Sequence, residues 1–464
     1  MVASLVSAIC LILVLFPPLS VAAQRQPPGE PKKLVLSLEE VVKRALEVSA
    51  LIKETRAGVN ASLSKQAQAD AAKWAQLEAN VFGGPSPELD LRSSSGITNS
   101  KNNTSEPVIN GAFGRAQIAL VQPLYTFGKI SAFREAAARG VRVSEAAVDQ
   151  KGLEVTLQVK QFYHGYLLAH ELREFVESIR SELQKALDKA ERQVEAGSPA
   201  ATWGDVYKLR AFLAEVDKSI DEAEQGLRLA RRALRTALRL EDGVEFELAD
   251  KRLAPVKVDL KSAEAYVTTA KELRPEFVQL KEGIKAREAL VDAAVADQFP
   301  TFYAALLGDF AAATNRDFSE NPLSRDPLKH VDAGVVVGLR WHFDLGITKG
   351  KIDEARAEYM KLLHKKDFAE NGIPLQVRKA YLELQKAQQD IKTTERAFRN
   401  ARRWLVTAVA NFDLGIGEAK ELADALKSYA RMRADNFRAI YNEHISLANL
   451  DFATGKVLRQ FSVR

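Results

Sequence analysis

The residues able to do chemistry are few in this chain, and their spacing rules most of it out. His164, His170, His330, His342, His364 and His444 have no cysteine or carboxylate at ligand spacing. His164 and His170, six apart, fall on different faces of a helix. With three methionines, Met1 among them, and one cysteine, Cys10, there is no soft site for copper or silver. Asp344-Leu345-Gly346 and Phe412-Asp413-Leu414-Gly415 are turn signals rather than nucleotide loops, and no nucleophile–base arrangement accompanies them. The sequence therefore offers no catalytic residue, no metal site and no cofactor site.

The stretch the chain is organised around is a strand feeding a very long helix. In residues 331–343, Val335, Val337, Leu339, Trp341 and Phe343 alternate with Gly334, Val336, Gly338, Arg340 and His342, a period of two. Residues 349–411 are rich in Ala, Leu, Glu, Lys, Arg and Gln, with apolar residues three and four apart. That predicts a helix roughly 95 Å long at about 1.5 Å per residue. The stretch occurs twice. Gly128 and Gly346, Tyr163 and Tyr381, and Gly197 and Gly415 are each 218 residues apart. Upstream, Ile52 and Phe277, Ala61 and Ala286, Trp74 and Phe299, and Gly83 and Gly308 are each 225 apart. The difference falls between paired strands, where loops vary in length. The chain is a tandem duplication.

Residues 1–23 read as a signal peptide. Residues 5–16 are apolar, Pro17 and Pro18 follow, and Val21-Ala22-Ala23 suits cleavage before Gln24. A retained anchor is the alternative, but the run is shorter than the ~20 residues of a span. Cleavage would also remove Cys10. Residues 24–240 make the first repeat, with strands near 74–83 and 113–125 and long helices over 131–196 and 205–240. Residues 241–261 link it to the second repeat, 262–456, with strands near 300–310 and 331–343 and long helices over 349–411 and 418–454; 457–464 is a tail. Two shorter helices precede each repeat's first strand, the first pair broken near Ala50-Leu51-Ile52. Residues 84–111 and 314–329 read as exposed polar loops, and Gly372 with Pro374 predicts a kink or joint in the second long helix. The net charge of +5 on 464 residues is small, with acids and bases mixed along the helices, so no nucleic-acid partner is expected.

Beyond the leader no stretch reaches the ~18 apolar residues of a membrane helix, so only strands could cross a bilayer. The strands are long enough at a tilt. Trp74, Phe113, Tyr125, Phe127, Phe299, Trp341 and Phe343 cluster at their ends, as interfacial girdles do. Four strands cannot close a barrel, and open edges are not tolerated in lipid. Three copies would supply twelve. The long helices are too polar for lipid and would pack as a coiled-coil wall. The other reading of the same pattern is a periplasmic coiled-coil scaffold without a pore.

At Leu120-Val121-Gln122-Pro123-Leu124-Tyr125-Thr126-Phe127-Gly128 the sequence resembles the outer-membrane efflux channel family, the TolC family, in which a Gln-Pro-Leu, aromatic, Gly pattern marks the turn from strand to long helix. Leu38-Glu39-Glu40 with Ala45-Leu46, Val194-Glu195-Ala196-Gly197 and Phe412-Asp413-Leu414-Gly415 carry the resemblance over nearly the whole mature chain. The resemblance implies a mainly α protein with membrane β. It would be a homotrimer whose twelve-stranded outer-membrane β-barrel, four strands per chain, continues into a long periplasmic α-helical coiled-coil barrel. It implies a non-enzymatic exit channel of a tripartite efflux or type I secretion system, set in outer-membrane lipid. The channel would conduct what an inner-membrane pump delivers through a periplasmic adaptor (membrane fusion) protein. The resemblance also implies acids six and nine positions past the tip glycine; counted from Gly415 these are Glu421 and Asp424, one helical turn apart, which with Asp413, Glu418 and Asp205 would form a periplasmic gate, a ring of like charge that draws cations, where the alternative is an ordinary solvated helix face. The hairpin tips at Gly197, Ser198, Pro199, Gly415 and Gly417 would dock the adaptor, and Pro123, Gly128 and Gly346 would make the strand-to-helix turns.

Overall fold

The computed structural model describes residues 34–87, 109–198, 201–241, 243–256, 258–316 and 326–456. The expected signal peptide, Pro199 and the tail 457–464 lie outside them. In chain order, β1 (Leu34–Leu36), α1 (Leu38–Val48) and α2 (Ala50–Ala71) lead to the strands β2 (Gln76–Pro87) and β3 (Ile109–Tyr125). The long α3 (Lys129–Glu195) and its return α4 (Trp203–Ala237) complete the first pass. The second runs β4 (Phe246–Leu248), α5 (Ala263–Leu273), α6 (Pro275–Ala296), β5 (Thr301–Ala313), β6 (His330–Arg340), α7 (Ile347–Asp413) and α8 (Ala419–Thr454). Both α3 and α7 have 67 residues, a length of about 100 Å.

Local chemistry sets the boundaries. Ser37 and Glu40 close a capping box on α1, and the break before α2 falls at Ser49, ahead of the expected position. The last strand ends at Arg340, so Trp341 and Phe343 do not extend it. Trp341 instead turns back, its indole Nε1 donating to Gln298 O at 3.2 Å. At the other end the first strand continues through Gly84 to Pro87, and the second begins at Ile109; both were expected to be loop. Gly84 and Gly111 suggested a turn, but each stands opposite a strand partner, Phe113 and Ser86. No joint forms at Gly372 and Pro374. The helix runs on through both, because Ile373, Pro374 and Val377 are buried, and Ile373 and Val377 pack with Val267, Ala270 and Leu450 from α5 and α8. Packing there outweighs the lost N–H of proline.

Two pieces of architecture follow. β2, β3, β5 and β6 form one antiparallel sheet in the order β2-β3-β5-β6. The long helices form the rest. α3 packs on α4, α6, α2 and α8, and α7 packs on α8 and α6. Toward the hairpin tips a core of Leu183, Leu187, Val206, Leu209, Phe412 and Leu422 joins both hairpins. Nearer the middle, Val41, Val159, Tyr163, Leu234, Leu238 and Phe246 form another, closed by the parallel β1–β4 pair. These two strands of three residues bring the start of the first repeat against the inter-repeat segment.

The inter-repeat segment is strapped across α3 and α8. Tyr163 Oη donates to Asp250 Oδ2 at 2.7 Å, and the backbone N–H of Leu253 donates to Glu171 Oε1 at 3.0 Å. Glu443 Oε2 accepts from Val256 N at 2.9 Å, and the His444 ring Nε2 meets Ala254 O at 2.9 Å. His164 stacks on His444, ring centroids 4.2 Å apart. Burial, then the neighbouring His444 and Lys160, pushes the His164 imidazole down to about 3, so the fold holds it neutral. An unfolded chain would protonate it near its ordinary 6.5. This contribution is therefore present above about pH 6.5 and lost as pH falls toward 3. Thermal unfolding of the detergent-solubilised protein is expected to shift downward over that window, and His164→Gln should flatten the slope. An identical pH profile for the variant would contradict this.

Candidate functional site: the two faces of the sheet and the hairpin tips

Alternation along each strand gives the sheet one apolar face and one mixed face, on which Phe82, Val121, Tyr303, Leu307 and Val336 stand among the polar residues. One face carries Leu77, Val81, Ile118, Leu120, Leu306, Phe310, Val331, Val335, Val337 and Leu339, set opposite one another by the register. Val81, Val335 and Val337 are 79%, 76% and 75% exposed. So wide an apolar face needs lipid or a partner. The other face carries Glu78, Asn80, Arg115, Gln117, Asp309, His330, Asp332 and Arg340. Asn80, Gln117, Asp309 and Asp332 form a single row across all four strands. Arg115 grips Asp309 with two bonds, 2.8 Å from Nε and 2.5 Å from Nη2.

Where the strands meet the helices, Phe127 packs among Tyr125, Phe299 and Phe302, its ring 4.7, 4.8 and 6.4 Å from theirs. This contact accompanies a left-handed φ of 48° at Phe127, unusual without glycine. Pro123 has no N–H for the ladder, and the β3–β5 register shifts between Pro123 and Tyr125. Gly128 (φ 88°) and Gly346 (φ 151°) then start α3 and α7 in conformations that a side chain would resist. Asp344 accepts from the Thr348 hydroxyl at 2.6 Å and from the N–H of Thr348 and Gly346 at 3.0 Å. Those bonds, the hydroxyl's first, hold its carboxyl well below the usual range.

The two tips are built alike. After α3 the N–H of Gly197 donates to Val194 O and that of Ser198 to Gln193 O; after α7 Gly415 donates to Phe412 O and Ile416 to Asn411 O. Both are Schellman endings with a left-handed glycine, φ 67° and 73°. A Cβ on Gly417 would stand 2.8 Å from Asn411 Cβ, so the second tip needs glycine there as well. Leu414 and Ile416 are 75% and 77% exposed, and Trp203 stacks on Tyr207, both exposed, at the start of α4. This apolar tip surface escaped the sequence reading, which followed glycines and acids. Glu421 and Asp424 lie on the exposed side of α8, while Leu422, Ala425 and Leu426 are buried. Glu418 is the N-cap residue of α8, and Asp413 is held by Lys189 at 2.6 Å.

Asp205 has a structural partner. It closes a capping box on α4, accepting from Thr202 N at 3.1 Å and Thr202 Oγ1 at 2.7 Å. Burial pushes its carboxyl up, but the bonds from Thr202 and the charge of Lys208 together bring it lower than usual. Among the described residues no group of three His, Cys, Asp or Glu could hold a metal ion, and no helix is long and apolar enough to cross a membrane.

Residues 41–238 and 266–456 match the outer membrane efflux protein family. The structure of CusC, described in terms of transmembrane channel formation, aligns over 93% of this chain and 95% of its own at 18% identity, with a TM-score of 0.72. A membrane protein from Pseudomonas aeruginosa aligns over 90% of both chains at 18% identity and TM-score 0.72. The Campylobacter jejuni CmeC outer membrane channel aligns over 92% of this chain and 89% of its own at 14% identity and TM-score 0.72. Comparison with curated proteins returned no match.

Replacing Asp205 with Ala is expected to destabilise the α4 end of the first hairpin by about 1 kcal/mol, the usual worth of a cap. A lower unfolding midpoint, partly restored by Asp205→Asn, checks this. Unchanged stability would contradict it.

Proposed function

The chain belongs to the outer membrane efflux protein family, and from that premise we propose that it is the exit duct of a tripartite efflux or type I secretion system. It passes solutes passively, and the driving energy comes from an inner-membrane pump coupled through a periplasmic adaptor. The observation that carries this reading is the four-stranded sheet, apolar on one face and with its charged residues gathered on the other, with β2 and β6 as open edges. In lipid the N–H and C=O groups of those edges have no water to turn to. They are satisfied if β6 of one copy pairs with β2 of the next. Three copies then close twelve strands, with the polar row turned to the lumen. A second feature supports the same assembly: Phe368, Leu375 and Leu382 recur at seven-residue spacing on α7, and are 78%, 67% and 60% exposed. That is a seam awaiting a neighbouring helix.

In this reading residues 24–240 and 262–456 supply equivalent halves of the wall. Pro123, Gly128 and Gly346 turn each membrane strand into its long helix, and the tips at Gly197, Ser198, Gly415 and Gly417 meet the adaptor, with Leu414 and Ile416 as apolar contact. Glu421 and Asp424 of three copies ring the periplasmic end, flanked by Glu418 and Asp413. The test is electrical. Purified trimers in planar bilayers should conduct, and Glu421→Ala with Asp424→Ala should raise conductance several-fold and lower cation selectivity. Unchanged currents would remove the gate assignment. Changing Phe368, Leu375 and Leu382 together to Ser should yield monomers of undiminished helix content in detergent; persistent trimers would reject the seam.

A further inference from the structure

After β5 the chain does not simply leave the sheet. Thr314 N donates to Ala112 O at 3.0 Å, and Ala112 N donates to Thr314 Oγ1 at 3.0 Å. Asn315 then turns in over the sheet. Its Nδ2 donates to Ser86 O at 3.0 Å and to Asn110 Oδ1 at 2.5 Å. Its side chain occupies the place of a Gly111 Cβ, which would lie 2.3 Å from Asn315 Cγ. Gly111 stands opposite Ser86, and alternation from Arg115 and Phe82 puts both on the polar face. The direction of the turn is thus toward the lumen. Arg316 follows, with Nε donating to Pro87 O at 3.0 Å and Nη1 to Asp326 Oδ1 at 2.7 Å. The two side chains of that ion pair are only 8% and 1% exposed.

The same knot reaches down into the barrel wall. The Asp326 carbonyl meets His330 Nδ1 at 2.8 Å, and His330 Nε2 lies 3.3 Å from Asp309 Oδ1, the carboxylate held by Arg115. Lys329 donates from Nζ to Arg316 O. Burying an arginine–aspartate pair costs desolvation that its attraction barely offsets, so such a pair is better understood as fixing a position than as adding stability. An ordinary surface turn would leave both charges in water.

We propose that this strap, Asn315 and Arg316 pinned by Asp326 and His330, is a second constriction of the duct, at its outer mouth, and governs the size and charge of the solutes that leave. The proposal rests on the duct reading above. Three straps around one axis would each hold a buried, mutually compensated Arg316–Asp326 pair, with Asp332 and Glu78 deeper in the lumen, and together narrow the mouth. Removing Asp326 would leave Arg316 uncompensated and favour anions.

Two variants separate width from charge. Gly111→Ala pushes Asn315 off the polar face without altering charge. It should raise single-channel conductance up to about twofold in planar bilayers, with the reversal potential in a salt gradient unchanged. Asp326→Asn should raise conductance and shift the reversal potential toward anions. As a probe independent of the periplasmic end, Asn315→Cys trimers should lose conductance in up to three steps when a cationic methanethiosulfonate is added from the outer side, with labelling verified by mass. Variants are compared as trimers that survive detergent as the parent does. Conducting trimers indifferent to Gly111→Ala, Asp326→Asn and full labelling at position 315 would overturn the strap while leaving the duct intact. Trimers that conduct nothing would overturn the duct itself.

Discussion

Everything in this molecule answers to the unpaired backbone of two strand edges. Within the sheet each inner strand has its ladder satisfied on both sides, while β2 and β6 present donors and acceptors outward. In water such edges would be a hazard, and in hydrocarbon they are untenable. The apolar face anchored by Val81, Val335 and Val337 commits the sheet to hydrocarbon. The polar face cannot follow it there and needs an aqueous interior. Association of copies into a closed wall meets both demands, and the long helices inherit the symmetry that the wall imposes.

The helical part obeys a different rule. Its stripes are narrow and its charges many, so it coheres through helix–helix packing in water. The two hairpins share one core near their tips, where Leu183 and Leu209 meet Phe412 and Leu422. Movement of one hairpin at that level must repack the other. In the middle, Tyr163, Glu171, Glu443 and His444 bind the inter-repeat segment across α3 and α8. Buried polar groups recur where position matters: in this belt and in the Arg316–Asp326 knot at the opposite end.

Much of this was legible in the sequence because the gene unit is repeated. A glycine pair at 128 and 346 and another at 197 and 415, with one offset, mark both strand-to-helix turns and both tips. Period two located the membrane strands, but not their ends. Alternation in 331–343 runs on into Trp341 and Phe343, where contact with Gln298 and the neighbouring ring takes over from the ladder. Gly84 and Pro85 looked like turn residues, yet a partner strand makes them β. The three-residue β1 and β4 carry too few side chains to show a period. Asp205 looked like one more acid near a tip, since a capping box through Thr202 is a matter of local backbone geometry. The mouth knot was invisible for another reason: Asn315, Arg316, Asp326 and His330 read as a polar loop until register shows which face they cover.

Disulfide trapping between the two sheet edges tests the closed wall most directly. Within one chain β2 and β6 are separated by two strands, about 14 Å at ~4.8 Å per strand, too far for a disulfide. Cysteines paired along the edges, beginning with Val81→Cys and Val335→Cys or Val337→Cys, are expected to give oxidised ladders ending at three chains in outer-membrane fractions. Protein that conducts in bilayers yet forms no inter-chain bond at any position along the two edges would contradict the account.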